Sequence, residues 1–391
     1  MNTAIVHDWL TGMRGGEKVL EILCERYPDA EIFTLLHVRG AVSAPIQRHR
    51  IHTSPLQHLP GVGHYYRECL PLFPALIEQF DLERFDLVIS SSHCVAKGAL
   101  ARPDAVHICY CHTPMRYAWD QFDAYFGPAR VGWAASAALR PVLAALARWD
   151  RETAGRVRRY LTNSQYVAGR IGRYYNREAT VVYPPVDTDF FQPADAHAVT
   201  SREYALVVSA LVPYKRIDLA IAACRIAGVP LRIVGVGPER VRLEQSAAGA
   251  DVEFLGRLSN DDVRDAYRGA AVVLLTGEED FGIVPLEAQA CGRPVVALGR
   301  GGAVETVVPG ETGILVADQT PEAFADAIAR AIGRHFDCAS IRRHAEQFSR
   351  ARFGDQIEAL VAETIARPVL DTRERYGASA SGVAVGPHAC Q

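Results

Sequence analysis

The chain has 391 residues, and its 42 lysines and arginines almost balance its 45 aspartates and glutamates, for a formal net charge of -3. This balance gives no general attraction to nucleic acid, and the length exceeds that of one typical domain, which predicts two domains. The nine cysteines lack paired C-x-x-C spacing, and Cys109, Cys111 and His112 fall one short of the four ligands of a structural zinc site, so we predict no metal site.

The N-terminal text MNTAIVHDWLTG has no basic segment followed by an apolar one, and the chain has no run of about eighteen apolar residues. We therefore expect neither a secretory leader nor a transmembrane helix. By default, this predicts a cytoplasmic protein whose contact with a membrane would be peripheral.

The first half of the chain, from Thr3 to about Pro185, alternates helical patterns with the β-rich runs TAIVHDW, EIFTLL, DLVISSS, VHICYCH, YLTNS and TVVYPP. This alternation is typical of βαβ units in a mostly parallel sheet. The first run leads through Gly15 and Gly16 into a helix, where glycines would let a ligand approach the helix N-terminus. A tight turn that needs glycine for steric reasons is the alternative, and the sequence leaves both open.

The fourth β-rich run ends at His112, which is followed by Pro114, Arg116 and Trp119. Ligands of open α/β sheets bind beyond the carboxyl ends of the strands, and this histidine lies at such an end. Most lone histidines are structural, but a histidine at a strand tip beside other polar residues favours a functional role.

A basic segment follows between Pro128 and Tyr160. It contains two acids, Asp150 and Glu152, against seven arginines, at positions 130, 140, 148, 151, 156, 158 and 159. Two interpretations are equally supported. The segment could lie on an anionic membrane surface as a tryptophan-bearing amphipathic helix, or it could be an ordinary core-facing helix with a solvated arginine face.

A second series of β-rich runs begins with YALVVSAL and continues through LRIVGVG, VEFLGRL, AVVLLTG, RPVVALG and GILVAD, which predicts a second doubly wound sheet. We predict a first domain at 1–185, a linker at 186–203 and a second domain at 204–349. A last helix at about 350–366 could pack back on the first domain, and the tail at 367–391 has a composition typical of disorder.

The second half places Lys215 and Arg216 after its first strand, at the predicted start of a helix. Cations there oppose the helix dipole, so the pair favours binding of a diphosphate over a solvated surface pair. In IVGVGPER, Gly235 and Gly237 form a close strand-to-helix turn, but Arg240 stands where the dinucleotide fingerprint needs its third glycine. On its own, this incomplete motif is weak evidence for a nucleotide-binding turn.

The interpretation centres on the stretch TGEEDFGIVPLEAQACGRPVVAL, residues 276–298. Within it, Glu279 to Val284 form a predicted strand-to-helix turn whose unpaired N–H groups and helix dipole suit a phosphate. Two carboxylates, Glu279 and Glu287, flank this turn, and carboxylates accept hydrogen bonds from hydroxyls. The combination predicts a ligand that carries both phosphate and sugar.

Together these motifs resemble those of the retaining GT-B glycosyltransferases of family 4. The matching text spans most of residues 1–365 and includes GGEKVLE, YCHTPMRYAWD, NSQYVAGRI, VVYPPVDTDFF, LVPYKRIDLAI, EDFGIVPLEAQACGRPVVA and GGAVETVVPGETGILV. The wording is similar to the bacterial mannosyltransferase branch that builds O-antigen and exopolysaccharide units on a polyprenyl diphosphate. The resemblance implies an α/β fold with two facing, doubly wound Rossmann-like domains and a cleft between them. It also implies that the first domain, 1–185, binds the acceptor and the second, 204–349, binds the nucleotide-sugar donor.

The resemblance also implies roles for individual residues. Glu279 would contact hydroxyls of the transferred sugar, Glu287 would contact the ribose, and His112 would meet the donor sugar near its reacting carbon. Further donor-binding positions are Gly15, Gly16, Lys215 with Arg216 as its helper, Gly237, Leu258, and the backbone amides of Phe281, Gly282, Ile283 and Val284.

One position departs from the family pattern. Many relatives carry an arginine where this chain has Ala210, so stabilisation of the leaving group would rest on Lys215 and Arg216. No Asp-x-Asp motif accompanies the cleft motifs, and fixed positive groups can stabilise a departing diphosphate. We therefore expect a metal-independent reaction with no cofactor besides the nucleotide sugar.

The resulting hypothesis is transfer of mannose from GDP-mannose to a polyprenyl-diphosphate-linked oligosaccharide at the cytoplasmic face of the inner membrane. Nucleic acid is not an expected partner. Three alternatives stay open: a UDP-glucose or UDP-galactose transferase, a phosphorylase or hydrolase on the same frame, and a catalytically silent nucleotide-sugar-binding protein.

Overall fold

The structure is a computed structural model that describes residues 1–194 and 204–367. Residues 195–203 of the predicted linker and residues 368–391 of the predicted tail lie outside the described part. The described chain forms two parallel sheets with helices on both faces of each, which confirms the predicted pair of Rossmann-like domains.

The elements of the first domain are β1 (Thr3–His7), α1 (Gly15–Arg26), β2 (Glu31–Thr34), α2 (Ala44–Gln47), β3 (Ile51–Thr53), α3 (Val62–Tyr65), α4 (Phe73–Ile77), β4 (Leu87–Ser92), β5 (Val106–Cys111), α5 (Arg116–Trp119), α6 (Phe122–Phe126), α7 (Pro128–Val131), α8 (Trp133–Glu152), β6 (Arg159–Thr162), α9 (Gln165–Tyr175) and β7 (Ala179–Val181). Those that follow are β8 (Tyr204–Val208), α10 (Ile217–Ala227), β9 (Leu231–Val234), α11 (Arg240–Ser246), β10 (Val252–Gly256), α12 (Asn260–Gly269), β11 (Ala270–Leu275), α13 (Ile283–Ala290), β12 (Val295–Leu298), α14 (Ala303–Thr306), β13 (Gly313–Val316), α15 (Pro321–Gly333), α16 (Cys338–Glu346) and α17 (Arg350–Ala366).

The order of the strands places the site. The first sheet runs β3-β2-β1-β4-β5-β6-β7 and the second runs β10-β9-β8-β11-β12-β13. The strand order therefore reverses between β1 and β4 in one sheet and between β8 and β11 in the other. Crevices open at such switch points beyond the carboxyl ends of the strands. The turns that follow β1, β4, β8 and β11 carry most of the motifs found in the sequence.

The central strands are buried along their whole length, and β4 ends in three buried serines. Buried hydroxyls need hydrogen-bond partners, and two of these serines find them on neighbouring histidines. Ser90 Oγ lies 2.9 Å from His107 Nε2, and Ser91 Oγ lies 2.9 Å from His112 Nε2. A polar strip thus crosses the otherwise apolar sheet towards its carboxyl edge.

The last helix, α17, returns to the first domain and packs against α1. Arg26 donates hydrogen bonds to Asp355 and Glu358, both at 2.8 Å. Arg350 of α17 in turn donates to Glu21 of α1 at 2.8 Å. The two ends of the described chain are therefore tied together by ion pairs at the surface.

The basic segment forms α7, α8 and the first residues of β6. Helix α8 buries Leu143 and Leu146 on its inner face, so it packs against the core as the second interpretation expected. Its outer face is largely alanine and bears Trp133, whose surface is 78% exposed, together with Arg148. No helix in the described part of the chain is long and apolar enough to cross a membrane.

Four arginines of the segment, at 130, 140, 156 and 159, form intrachain ion pairs, and the side chains of Arg156 and Arg159 are the least exposed of the four. Arg156 contacts Glu78 at 2.6 Å, and Arg159 contacts Glu363 of α17 at 2.7 Å. These two side chains hold the first domain together, so the exposed face of α8 is the part of the segment available to an anionic surface.

Candidate active site

A cavity of about 520 Å³ opens between the carboxyl ends of the two sheets. The first domain lines it with Trp9, Arg14, Gly15, Gly16, Glu17, His93, His112, Arg116, Asn163 and Pro184. The second domain lines it with Val208, Ser209, Ala210, Tyr214, Lys215, Leu275, Glu279, Asp280, Phe281, Gly282, Ile283 and Val284. The cleft expected from the sequence therefore joins the turns after β1, β4, β5, β8 and β11.

Gly16 stands directly against His112. A Cβ added at Gly16 would lie 3.6 Å from His112 Nε2 and 3.7 Å from His7 Cε1, which are ordinary contact distances. The backbone at Gly16 also has no positive φ. Packing and backbone geometry therefore do not require glycine here, which favours the ligand interpretation over the steric one.

A buried carboxylate holds the turn after β4. Asp8 Oδ1 accepts the N–H groups of Val95 and Ala96 at 2.7 Å, and Oδ2 accepts those of His93 at 2.7 Å and Cys94 at 3.0 Å. Burial alone would raise the pKa of Asp8, but the charge and hydrogen bond of His93, whose Nδ1 lies 3.0 Å away, hold that pKa well below its usual range. Burial would lower the pKa of His93, yet Asp8 raises it.

His112 is held as a neutral imidazole. Its burial, helped by the neighbouring His93 and His7, lowers the pKa of His112 to about 3. At physiological pH it is therefore too weak a base to take up the proton of an acceptor hydroxyl. It retains the capacity to make one hydrogen bond to a ligand in the cavity.

Lys215 and Glu279 face each other on the wall formed by the second domain. Lys215 Nζ donates a hydrogen bond to Glu279 Oε1. Burial alone would lower the pKa of Lys215, but the charge of Glu279 raises it, so the amine is an ammonium. Thr276 Oγ1 supports the loop by donating to the carbonyl oxygens of Lys215 at 3.1 Å and Arg216 at 2.8 Å.

The structure differs from the sequence prediction at Arg216. The predicted helix begins one residue later, at Ile217, and Arg216 caps it in the left-handed conformation with φ 51°. Its guanidinium turns to Asp218, with Nε 3.2 Å from Oδ1, and Arg216 is not among the residues that line the cavity. A capping residue with positive φ projects its side chain away from the direction expected for the first turn of a helix.

Glu287 is also outside the cavity lining. It is 6% exposed, and both carboxylate oxygens already have partners. Oε1 lies 2.6 Å from Lys18 Nζ of α1, and Oε2 accepts the hydroxyl of Tyr267 at 2.9 Å. A ribose hydroxyl could reach this carboxylate only by replacing one of these partners.

Gly237 and Leu258 have packing roles in this structure. A Cβ at Gly237 would lie 2.3 Å from the carbonyl oxygen of Leu211, so only glycine fits beneath that loop. Leu258 is half-buried against the core of the second domain. Neither residue lines the cavity.

The first turn of α13 faces the cavity from the second domain. Gly282 precedes the helix with φ 87°, a conformation that favours glycine, and Ile283 and Val284 open the helix. Among the described residues, no acceptor binds the amide N–H groups of these three. Phe281 anchors the turn, because its ring is buried and stacks on Tyr183 with centroids 5.6 Å apart.

Contacts across the cleft hold the two domains together. Arg116 donates to Asp280 from Nε at 3.0 Å, and the hydroxyl of Ser164 donates to the carbonyl oxygen of Asp280 at 2.6 Å. Glu305 accepts the amide of Gln165 at 2.8 Å, at the start of α9. These contacts tie the two domains to each other beside the cavity.

Sequence reasoning missed several residues that line the cavity, among them Arg14, His93, Asn163, Tyr214 and Asp280. Arg14 was available to find, because it directly precedes the glycine pair. In the part of the chain that the structure describes, no carboxylate pairs with its guanidinium. His93 and Asp280 lie within quoted motifs, but their roles depend on partners far away in sequence.

The structure also bears on metal binding. Within residues 1–194 and 204–367, no group of three or more His, Cys, Asp or Glu is placed to hold a metal ion. Cys109 and Cys111 are buried free thiols on β5. A separate depression of about 630 Å³ lies beside Pro309 and Arg334, outside the cleft, and it is lined by neither carboxylate nor histidine.

Two family models match the chain, one on each domain. The Glycosyltransferase Family 4 model matches residues 13–190, and the model for Glycosyl transferases group 1 matches residues 190–348. The D-inositol 3-phosphate glycosyltransferase of Mycobacteroides abscessus is 32% identical over 233 residues, which are 53% of this chain and 52% of that protein. The one from Geodermatophilus obscurus is 36% identical over 213 residues, 47% of each chain. The chain spans about half the length of the curated relatives it matches.

Solved structures resemble the whole described chain. HepE from Anabaena, crystallised with UDP-glucose, has a TM-score of 0.68 at 19% identity and covers 93% of this chain and 100% of its own. Sucrose-phosphate synthase from Thermosynechococcus elongatus has a TM-score of 0.67 at 19% identity, with 94% and 100% covered. At this identity the likeness shows the fold, and it confirms the two-domain architecture expected from the sequence.

Proposed function

Because the chain has the GT-B fold of the group 1 and family 4 glycosyltransferases, we propose that it transfers a hexose from a nucleoside-diphosphate sugar to an acceptor with retention of configuration. The observation that carries the proposal is the pairing of chemistries in one cavity. Lys215 and the first turn of α13 offer positive charge and free amides, while Glu279 and His112 offer groups that bind hydroxyls. A diphosphate joined to a sugar needs both.

The leaving diphosphate would be stabilised mainly by Lys215 and the N-terminus of α13. Arg216 was the expected helper, but its guanidinium is directed to Asp218. Arg14 is better placed for that role, because it lines the cavity, as Ala210 does, and has no ion-pair partner among the described residues. In this proposal Arg14 supplies, from the first domain, the charge that Ala210 cannot.

Donor binding would separate Lys215 from Glu279. The ammonium moves to the diphosphate and the carboxylate accepts sugar hydroxyls, so each keeps a polar partner. The bond from the sugar to the diphosphate breaks as the acceptor oxygen bonds to the same carbon. His112 is too weak a base to take the proton of the acceptor hydroxyl. That proton therefore goes to an oxygen of the leaving diphosphate, which lies on the same face of the sugar as the acceptor in a retaining reaction.

The donor proposed is GDP-mannose, on the sequence resemblance to the mannosyltransferase branch. UDP-glucose is the second candidate, favoured by the fold neighbour crystallised with that compound. A donor screen with membrane extract and mass-spectrometric detection of the lipid product separates the two. Thermal shift with GDP and UDP gives an independent answer, and stabilisation by UDP alone would remove the mannose proposal. We also propose that the reaction needs no metal ion, so transfer should persist in EDTA.

The screen also distinguishes the other classes of activity. A hydrolase would release free sugar at the same rate with or without acceptor lipid, and a phosphorylase would need inorganic phosphate. A silent binding protein would be stabilised by nucleotide and would turn over no donor. Growth of a glycolipid product by one hexose is the outcome expected here.

The acceptor proposed is a polyprenyl-diphosphate-linked oligosaccharide at the cytoplasmic face of a membrane. The outer face of α8, with Trp133 and Arg148 exposed, is the surface that we propose contacts anionic lipid. Trp133→Ala combined with Arg148→Glu should reduce sedimentation with anionic vesicles at low salt. Arg156→Gln is the matched control, because that arginine pairs with Glu78. Equal binding of all three proteins would refute this part of the proposal.

A further inference from the structure

His112 is the end of a buried polar chain that runs into the first sheet. His7 Nδ1 lies 3.1 Å from Ser91 Oγ, and Ser91 Oγ lies 2.9 Å from His112 Nε2. His7 and Ser91 are fully buried and are direct partners in the pairing of β1 with β4. The sheet itself therefore fixes the spacing of the three side chains.

We propose that Ser91 and His7 are positioning residues that hold His112 in one tautomer, with the proton on Nε2 and a lone pair on Nδ1 facing the cleft. His112 then acts as a hydrogen-bond acceptor for a ligand hydroxyl. The inference rests on the proposed function only for the identity of that hydroxyl, which would belong to the donor sugar.

Ser91 couples the two imidazoles because it has a single hydroxyl proton and stands between two ring nitrogens. When Ser91 donates to His7, its oxygen must accept the N–H of His112 Nε2, and Nδ1 of His112 is unprotonated. When Ser91 donates to His112, the arrangement reverses and Nδ1 carries the proton. The tautomer of His7 thus determines what His112 presents to the cavity.

Glu17 selects between these two arrangements. Its Oε1 lies 3.9 Å from His7 Nε2, an atom that is buried and has no hydrogen-bond partner in the described chain. A carboxylate attracts an N–H and repels a lone pair, so the tautomer of His7 with its proton on Nε2 is favoured, and Nδ1 is left to accept from Ser91. The other oxygen of Glu17 accepts the amide of Arg14 at 3.0 Å, which keeps the carboxylate in place.

The other charged groups near this chain do not compete for the same atoms. Asp8 is saturated by backbone amides of the turn after β4 and by His93. Arg14 is exposed to solvent and lines the cavity. His112 Nδ1 has no partner in the described part of the protein, so it is the atom left for a ligand.

The tautomer has a consequence for donor selection. A lone pair at Nδ1 accepts a hydrogen bond from a sugar hydroxyl, whereas fluorine in place of that hydroxyl cannot donate one. A donor fluorinated at the contacted position should lose about tenfold or more in kcat/KM. In Ser91→Ala that penalty should shrink, because His112 is free to present N–H to the fluorine.

The direct test is 15N NMR of the full chain labelled on histidine, which distinguishes protonated from unprotonated ring nitrogens. Signals of His112 are assigned by their loss in His112→Asn. At pH 7.5 we expect Nε2 protonated and Nδ1 unprotonated in the wild type. Ser91→Ala should show averaged shifts for both nitrogens and about a tenfold lower kcat/KM. Ser91→Thr keeps the hydroxyl and should restore both readouts.

A wild-type His112 with its proton on Nδ1 would overturn the inference, as would an unchanged single tautomer in Ser91→Ala. Ser91→Cys replaces the hydroxyl with a weak thiol donor and serves if the alanine variant does not fold. The NMR result does not depend on turnover. The expected tautomer in a protein that transfers no sugar would therefore refute the proposed function and leave the positioning role standing.

Discussion

The two walls of the cleft hold their charges in opposite ways. On the first-domain wall, Asp8 has four backbone N–H groups and His93 as partners, all within its own domain. On the second-domain wall, the side chains of Lys215 and Glu279 bind chiefly each other. A saturated carboxylate cannot leave its partners without unfolding the turn, whereas a simple ion pair can exchange them for a ligand. The first wall supplies fixed geometry, and the second supplies exchangeable charge.

The largest effect expected from this difference is on Lys215. Lys215→Ala should lower kcat/KM by about 10³-fold with little change in stability, because a fixed cation facing a leaving group contributes on that scale. Arg216→Asn is the matched control, since asparagine tolerates the left-handed backbone and the native side chain pairs with Asp218. Steady-state kinetics of both variants checks this. Equal losses would mean that Arg216 turns into the cleft when the donor binds.

The second prediction contrasts one carboxylate from each wall. Asp8→Asn should lower the free energy of unfolding by roughly 3 kcal/mol, because it removes a fully buried charge that pairs with the half-buried His93 and accepts four backbone amides. Glu279→Gln should change it by about 0.5 kcal/mol or less while lowering turnover. Urea denaturation measures both. A large stability loss in Glu279→Gln would show that the second wall is as structural as the first.

How far the sequence predicts this site depends on whether a residue acts through its own turn or through distant partners. Lys215 and Glu279 were predicted because each follows a buried strand at a switch point, which local patterns reveal, and both line the cavity. The guanidinium of Arg216 turns to Asp218, a direction that the sequence does not indicate because no local pattern marks a non-glycine residue with positive φ. Glu287 has a partner, Lys18, that is 269 positions away, and no local pattern indicates that pairing.

The same reasoning applies to the rest of the fold. Alternating strands and helices predicted both sheets, because continuous apolar runs suit strands that are covered on both faces. Ser91 is one of three consecutive serines, and the sequence does not distinguish it from the other two. Only the pairing register of β1 and β4 shows that Ser91 is the partner of His7. Asp8 lies in the first β-rich run, and no local pattern predicts that its carboxylate accepts four backbone amides from the turn after β4.

The third prediction concerns Gly16, where the first wall approaches the ligand. Gly16→Ala should fold with unchanged or slightly higher stability, because the added Cβ meets only ordinary contacts and the helix gains propensity. The methyl group would stand where the donor phosphate approaches, so KM for the donor should rise about tenfold while Tm is retained. If Tm fell and KM stayed constant, the glycine would be there for packing.

The smallest effect concerns pH and the buried histidines of the first domain. Burial, with the charges of Lys97 and Arg156, lowers the pKa of His107 to about 3. The unfolded chain therefore binds a proton near pH 6.5 that the folded chain does not bind until about pH 3. The free energy of unfolding must therefore fall as the pH drops below the pKa of His107 in the unfolded chain. For this histidine the fall is about 1.4 kcal/mol between pH 7.5 and 5.5. His93 acts in the opposite direction, because its pKa is raised and its contribution is lost as the pH rises.

Comparison of the wild type with His107→Gln isolates the contribution of His107, since every other titrating group is common to both proteins. The glutamine amide can still reach Ser90, so the variant should fold. Urea midpoints at pH 7.5 and 5.5 should show a loss of stability that is about 1.4 kcal/mol smaller in His107→Gln. An identical pH dependence would mean that His107 is already protonated in the folded protein. The rigidity of the first wall would then include a buried charge, and its contrast with the exchangeable ion pair of the second wall would be weaker.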